Sequence, residues 1–251
     1  QAPLTPVLSL GRMPLANSLL RATQLAEPEP TYPLDVVVCP ACTLVQITET
    51  VPPEILFGSY LYFSSFSETV LQNARAIVER MIDTRSLGPD SLAGEIASND
   101  GYLLQYFVAQ GIPALGIEPA ANVAKVAVEK GVPTLVEFFG VASAQRLVAA
   151  GQQADLLLGN NVLAQVPDLN DFVGGLKILL KPHGVLTLEF PHLMRLMAGN
   201  QFDTIYHEHF SYFSFITVEK IFAAHGLTLF DVEELSTHGG SLRIYARHTE
   251  D

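Results

Sequence analysis

At 251 residues the chain has room for one large domain, or a large domain with a small companion. Apolar residues make up 49% and charged residues 16%, enough to fill a core and too apolar for general disorder. Fourteen basic against 26 acidic residues give a net charge of −12, which excludes the basic face a nucleic-acid partner needs.

In chain order, residues 1–57 carry Pro3, Pro6, Pro14, Pro28, Pro30, Pro33, Pro40, Pro52 and Pro53, which exclude long helices there. Two short strand-like runs, Leu34–Val38 and Thr43–Ile47, flank a Cys39-Pro40-Ala41-Cys42 turn. These two cysteines are too few and too close for a disulfide framework. No Lys or Arg occurs from Ala22 to Ala74. The first twenty residues lack a basic stretch followed by an apolar one, and no apolar run reaches about 18 residues. A cytoplasmic protein without a membrane partner is expected. The chain opens on Gln1 rather than Met and is read as a fragment.

From Ser67 the pattern changes. Val70, Ala74, Ile77, Val78 and Met81 recur at helical spacing. Strand candidates follow at Leu92–Ala97, Ala114–Ile117, Thr134–Glu137, Asp155–Gly159 and Val185–Phe190. Helix candidates lie between and after them at Tyr102–Gln110, Ala121–Lys130, Val141–Ala150 and Asp168–Leu180. Val218–His225 reads as a late helix, and Leu227–Glu233 and Ser241–Arg247 as late strands. This alternation predicts an α/β fold with a parallel sheet covered by helices on both faces.

Such a sheet binds ligands beyond the carboxyl ends of its strands. The first strand runs into Glu95-Ile96-Ala97-Ser98-Asn99-Asp100-Gly101, and the second ends Gly116-Ile117-Glu118-Pro119. Glu118 stands at about the offset where an acid meets ribose hydroxyls. The loop lacks the G-x-G-x-x-G triplet of a dinucleotide site. Glu95 and Asp100 would repel a pyrophosphate and suit the sulfonium and ammonium groups of S-adenosylmethionine (SAM). A plain strand-to-helix turn capped by Asn and Asp is the competing reading of the loop. Phe138 and Phe139 offer an aromatic wall for adenine or ordinary core packing, and Asn160 and Asn161 form a second polar strand end.

The densest chemical cluster is Tyr206-His207-Glu208-His209-Phe210. It reads as a general base with an orienting acid and a phenol, as a metal site together with His192, or as a polar loop. Tyr60 through Ser67, between the small module and the sheet, is either a pocket wall or loop packing. Thr237-His238-Gly239-Gly240-Ser241-Leu242-Arg243 offers Arg243 to a phosphate, or is simply a tight turn into a strand.

Taken together these stretches resemble the bacterial sugar C-methyltransferases, which methylate C3 of nucleotide-linked 4-keto-2,6-dideoxysugars in antibiotic sugar pathways. The likeness rests on Tyr32–Asp35, Cys39–Cys42 with Leu44–Gln46, Tyr60–Ser67, Glu95–Gly101, Gly116–Pro119, Asn160–Leu169, Tyr206–Phe213 and His238–Arg243. It implies a Rossmann-like SAM-dependent methyltransferase fold with a small N-terminal zinc-binding-type module. The implied catalytic residues are His209 as base, with Glu208, Tyr206 and Tyr60. Glu95, Ala97, Ser98, Asn99, Asp100, Gly101, Glu118, Phe138 and Asn160 would hold the cofactor. Tyr62, Asn161, Gln165, His238 and Arg243 would meet the sugar nucleotide, and Cys39 and Cys42 a structural zinc. Gln165 departs from the family's frequent His, and only one of two expected Cys pairs is present. The implied organisation is 1–57 as the incomplete zinc module, 58–235 as the methyltransferase domain and 236–251 as the start of a truncated C-terminal domain. A monomer is expected. A SAM-dependent enzyme for another small molecule and a non-catalytic SAM- or zinc-binding fragment remain open alternatives.

Overall fold

The computed structural model describes residues 3–58 and 60–251. A Pro-rich start gives β1 (Thr5–Met13), β2 (Tyr32–Val38), β3 (Val45–Ile47) and the short α1 (Pro53–Phe57). The alternating region follows as α2 (Glu68–Arg85), β4 (Ala93–Ile96), α3 (Leu104–Ala109), β5 (Ala114–Ile117), α4 (Ala121–Glu129), β6 (Thr134–Leu135), α5 (Val141–Ala149), β7 (Ala154–Asn160), α6 (Leu169–Leu179) and β8 (Leu180–Pro191). The chain closes with α7 (Leu193–Ala198), β9 (Ser211–Tyr212), α8 (Phe215–Ala224), β10 (Leu227–Leu235) and β11 (Ser241–His248). No helix of the described residues is long and apolar enough to cross a membrane.

Seven strands form the main sheet in the order β10-β11-β8-β7-β4-β5-β6. The run β6, β5, β4, β7, β8 is parallel, and β11 is antiparallel to both of its neighbours. Parallel strands are covered on both faces, so every residue of β4 and β5 is buried. The pleat sends successive side chains of β7 to opposite cores. Leu157 joins Phe172, Leu176 and Phe222 under α5, α6 and α8, while Leu156 and Leu158 join Ile77, Met81, Leu104 and Phe107 under α2 and α3.

Most of these elements lie where the sequence predicts them. Within the stretch 236–251, β11 is threaded between β8 and β10, with Leu242, Ile244, Tyr245 and Ala246 all buried. A strand's apolar pattern shows that it is buried, but not which neighbours flank it. The small N-terminal module shares its sheet with a later segment of the chain. Its four-stranded antiparallel sheet, β1-β2-β3-β9, takes its last strand from Ser211–Tyr212. Phe210 and Tyr212 share one core with Leu34, Val36, Ile47, Leu56 and Phe57. That shared core fixes the Tyr206–His209 segment between the two sheets.

The loop after β4 turns sharply. Ala97, Asn99 and Gly101 all adopt left-handed backbone, at φ 57°, 51° and 74°. Below it, β5 approaches so closely that a Cβ on Gly116 would lie 2.4 Å from Ser98 Oγ and 2.9 Å from Thr134 Oγ1. Gly116→Ala is therefore expected to cost about 1–3 kcal/mol by overpacking, read as a lower urea midpoint at unchanged slope.

Candidate active site

A cleft of about 740 Å³ opens beyond the carboxyl ends of β4, β5 and β7, where an open α/β sheet is expected to bind its ligand. Its size falls within the range of ligand-binding cavities. Glu118 organises one side. Its Oε2 accepts the Asn99 backbone N–H at 2.9 Å, and its Oε1 accepts the Ala120 N–H at 2.8 Å. One carboxylate thus ties the loop after β4 to the start of α4. Burial still pushes its pKa up, because the two N–H donors offset desolvation only in part. Each oxygen keeps acceptor capacity for a ligand hydroxyl.

Of the residues expected at the cofactor, Ala97, Asn99, Glu118, Phe138 and Asn160 line the cleft, and Glu95, Ser98, Asp100 and Gly101 do not. The left-handed residues turn Asp100 inward, and the pleat of β4 buries Glu95. Asp100 is fully buried and is neutralised by Lys130 Nζ at 3.0 Å. Glu95 is also fully buried, with neither oxygen hydrogen-bonded, and desolvation raises its pKa well above the ordinary value. Neither carboxylate meets a cationic ligand directly. The acidic character comes instead from Glu54, Glu118, Glu137, Asp168, Asp171 and Asp203, and no Lys or Arg is among the lining residues. A sulfonium and an ammonium fit this wall, and a diphosphate does not. Phe138 is 45% exposed beside Phe139, which packs edge-on against Phe172 at 5.7 Å.

The opposite wall carries Tyr60, Tyr206 and His209. His209 Nδ1 lies 2.9 Å from the Thr204 carbonyl, an acceptor only, so this nitrogen carries the proton. Nε2 is therefore the basic nitrogen, and it accepts the Tyr206 hydroxyl at 3.1 Å. The Tyr206 and His209 rings lie 4.3 Å apart. Desolvation lowers the His209 pKa from 6.5 to about 4, so the imidazole is neutral at physiological pH. Burial raises both phenols, Tyr60 to about 12.

The orienting partner expected for His209 was the Glu208 carboxylate, and the structure corrects this to the Thr204 carbonyl. Glu208 turns away from the cleft: it is 2% exposed and accepts Asn17 Nδ2 at 2.7 Å. Its charge acts on Tyr60 and Tyr206, raising both. His207 points elsewhere too, with Nε2 3.1 Å from the Pro33 carbonyl. The two histidines do not converge, and among the described residues no three His, Cys, Asp or Glu side chains group as metal ligands. Cys39 and Cys42 sit on the tight turn between β2 and β3. They can supply two of the four ligands a structural zinc takes, so the described residues do not complete such a site.

Tyr62, Asn161, Gln165 and His238 line the cleft as expected, and Asn161 Nδ2 lies 3.5 Å from His238 Nδ1. Arg243 does not. It is 4% exposed and paired with Glu189 at 3.0 Å and Glu233 at 3.3 Å, so it is a buried structural cation rather than a phosphate contact. Sequence reasoning missed Asn17, in a turn, and Thr204, at the end of the short 3-10 turn Phe202–Thr204, neither within a motif, and Asn122, which carries no signal beyond its place in the first turn of α4.

Residues 73–232 match a family model described as a "Methyltransferase domain", and residues 1–57 match one described as a "Putative zinc binding domain". Among solved structures, magnesium protoporphyrin IX methyltransferase from Synechocystis with bound SAH (S-adenosylhomocysteine) superposes with a TM-score of 0.55 at 16% identity, covering 70% of this chain and 82% of that one. A SAM-dependent methyltransferase from Anabaena variabilis gives 0.54 at 15% identity, covering 69% and 84%. The fold is thus the Rossmann-like fold of SAM-dependent methyltransferases. The chain belongs to the methyltransferase domain family. It is 37% identical over 240 residues to "C-methyltransferase NovU" from Streptomyces niveus, covering 96% of this chain and 57% of that relative's length.

Two predictions follow from the buried groups. Arg243→Met should cost about 3–5 kcal/mol, because it leaves Glu189 buried without its cation; chemical unfolding reads this, and SAH affinity should change little in the folded fraction. His209 binds a proton less readily when folded than when unfolded. Its contribution is neutral above pH 6.5, and stability falls as pH drops from 6.5 toward 4. His209→Asn should remove that pH-dependent loss, so across this window the wild-type melting temperature should fall more steeply than the variant's as the pH is lowered.

Proposed function

We propose that this chain carries the catalytic unit of a SAM-dependent C-methyltransferase acting at C3 of a nucleotide-linked 4-keto-deoxysugar. The observation that carries the reading is His209: a neutral imidazole in the wall of the cleft that Glu118 shapes, its Nε2 unprotonated and accepting only the Tyr206 hydroxyl. Oxygen methylation needs little more than placement. Carbon methylation needs a base at a C–H made acidic by a ketone, and a donor for the developing enolate oxygen. NovU, the 37%-identical relative, bears the name of a C-methyltransferase.

Glu118 would hold the ribose hydroxyls of SAM, with Phe138 against adenine and the acidic rim toward the ammonium. Bound there, SAM supplies an electrophilic methyl group on a positive sulfur. The chain's own residues do the rest. His209 Nε2 takes the proton from C3, and the C–H electron pair becomes the enolate. Thr204 accepts from Nδ1 throughout and so stabilises the imidazolium that forms. The Tyr206 hydroxyl, which donates to Nε2 when no substrate is present, is released by protonation of that nitrogen and can turn to the enolate oxygen. Tyr60, kept protonated by burial, is a second donor. C3 then forms the new carbon–carbon bond as the sulfur–methyl bond breaks.

With no cation in its lining, the cleft would receive the sugar and leave the diphosphate at or beyond the rim. The same feature favours the second reading, an uncharged ketone as the methyl acceptor. Residues 1–57 would serve as the zinc-binding-type module, with Cys39 and Cys42 as one ligand pair.

The test is isotope exchange. In deuterated water, with SAH in place of SAM, the wild-type chain should exchange the C3 hydrogen of a nucleotide-linked 4-keto-2,6-dideoxysugar. His209→Asn should exchange it at least about 100-fold more slowly while still binding SAH. Equal exchange in both proteins would remove His209 as the base. Exchange with a free ketone but not with the sugar nucleotide would favour the second reading.

A further inference from the structure

We infer that Asn122 is a positioning residue that sets Tyr60 from the cofactor side of the cleft, so that cofactor binding tightens the substrate side. The inference rests on the reading of Tyr60 as a substrate-facing phenol.

Residues Tyr60–Phe66 form a strap between α1 and α2, and Tyr60, Tyr62 and Ser64 contribute to the cleft wall. The strap belongs to no sheet, so its backbone groups need other partners. Two asparagine amides supply them. Asn122 Oδ1 accepts the Tyr60 N–H at 3.1 Å, and Asn122 Nδ2 donates to the Tyr60 carbonyl at 2.7 Å. Both polar groups of one residue are thus held by one side chain, as a neighbouring strand would hold them. Asn99 does the same further along: its Oδ1 accepts the Ser64 N–H at 2.9 Å, and its Nδ2 donates to the Tyr62 carbonyl at 3.0 Å.

The two asparagines are linked through Glu118. Its carboxylate accepts the backbone N–H of Asn99 on one side and of Ala120, two residues before Asn122, on the other. Strap, Asn99, Glu118 and the first turn of α4 therefore close a ring of hydrogen bonds. A ligand that engages Glu118 presses on both anchors of the strap at once. Asn99 is buried, so its amide has little freedom. Asn122 is exposed on α4, at the solvent side of the ring. Only Asn122 can be removed without disturbing the loop after β4.

The test uses Asn122→Ala, a change that favours the helix. Hydrogen exchange of peptides covering residues 60–66 is compared with and without SAH. In the wild type, SAH should slow this exchange. In Asn122→Ala the added protection at Tyr60 should be lost, while the SAH dissociation constant moves by less than about 10-fold, as for a single hydrogen bond. Unchanged protection in the variant would overturn the inference, and so would the absence of any SAH effect on the strap in the wild type. Both results hold whatever the methyl acceptor is. If the sugar nucleotide is turned over, Asn122→Ala should lower kcat by up to about 100-fold through misplacement of Tyr60. Asn122→Ala/Tyr60→Phe should then be no slower than Tyr60→Phe alone. Losses that multiply would show that Asn122 acts independently of Tyr60. Protection without turnover would fail the substrate reading alone.

Discussion

The buried Glu118 carboxylate is the constraint on which the site depends. It stands at the end of β5, where a parallel sheet leaves backbone N–H groups without strand partners. By accepting one N–H from the loop after β4 and one from the approach to α4, it fixes two walls of the cleft with one side chain. The left-handed residues Ala97, Asn99 and Gly101 are tolerated because this carboxylate and the strap hold the loop in that turn. Strain of this kind persists only where surrounding contacts over-determine it.

Desolvation divides the labour among the ionisable groups. Lys130 neutralises Asp100, and Arg243 neutralises Glu189, so these charges serve the scaffold. His209 has no carboxylate partner in hydrogen-bond contact, and burial keeps it neutral; that is the state a base must start from. Around it, the cleft presents carboxylates and phenols, and no Lys or Arg among the described residues. Such a wall attracts a cationic cofactor and leaves a neutral sugar to be bound by hydrogen bonds. The small N-terminal sheet is part of this arrangement. By capturing β9 it buries Phe210 and Tyr212 and so immobilises the Tyr206–His209 turn beside them.

Much of this was legible in the sequence because periodicity and strand-end residues are local signals. The buried runs at 114–117 and 154–160 announce strands, and Glu118, Asn160 and His209 line one cleft. Direction and pairing were not legible. Asp100 and Glu95 have the residue types of a cationic site, but three left-handed residues in five turn Asp100 into the protein, and Glu95 is buried within β4 itself. Arg243 reads as a phosphate ligand until Glu189, 54 residues earlier, is placed beside it. The β1 strand is obscured by Pro6 and Gly11, which an edge strand accepts at register shifts. The Asn17–Glu208 bond spans 191 residues and has no local trace.

The central claim is that an acid-walled cleft organised by Glu118 receives an S-adenosyl group. Calorimetric titration with SAH tests it most directly, on the wild-type chain and on Glu118→Ala, with NAD as a control. The account predicts that SAH binds and NAD does not, and that Glu118→Ala weakens SAH by at least about 10-fold, the worth of a lost charge-assisted hydrogen bond. Binding of NAD in place of SAH, or equal SAH affinity in both proteins, would contradict it.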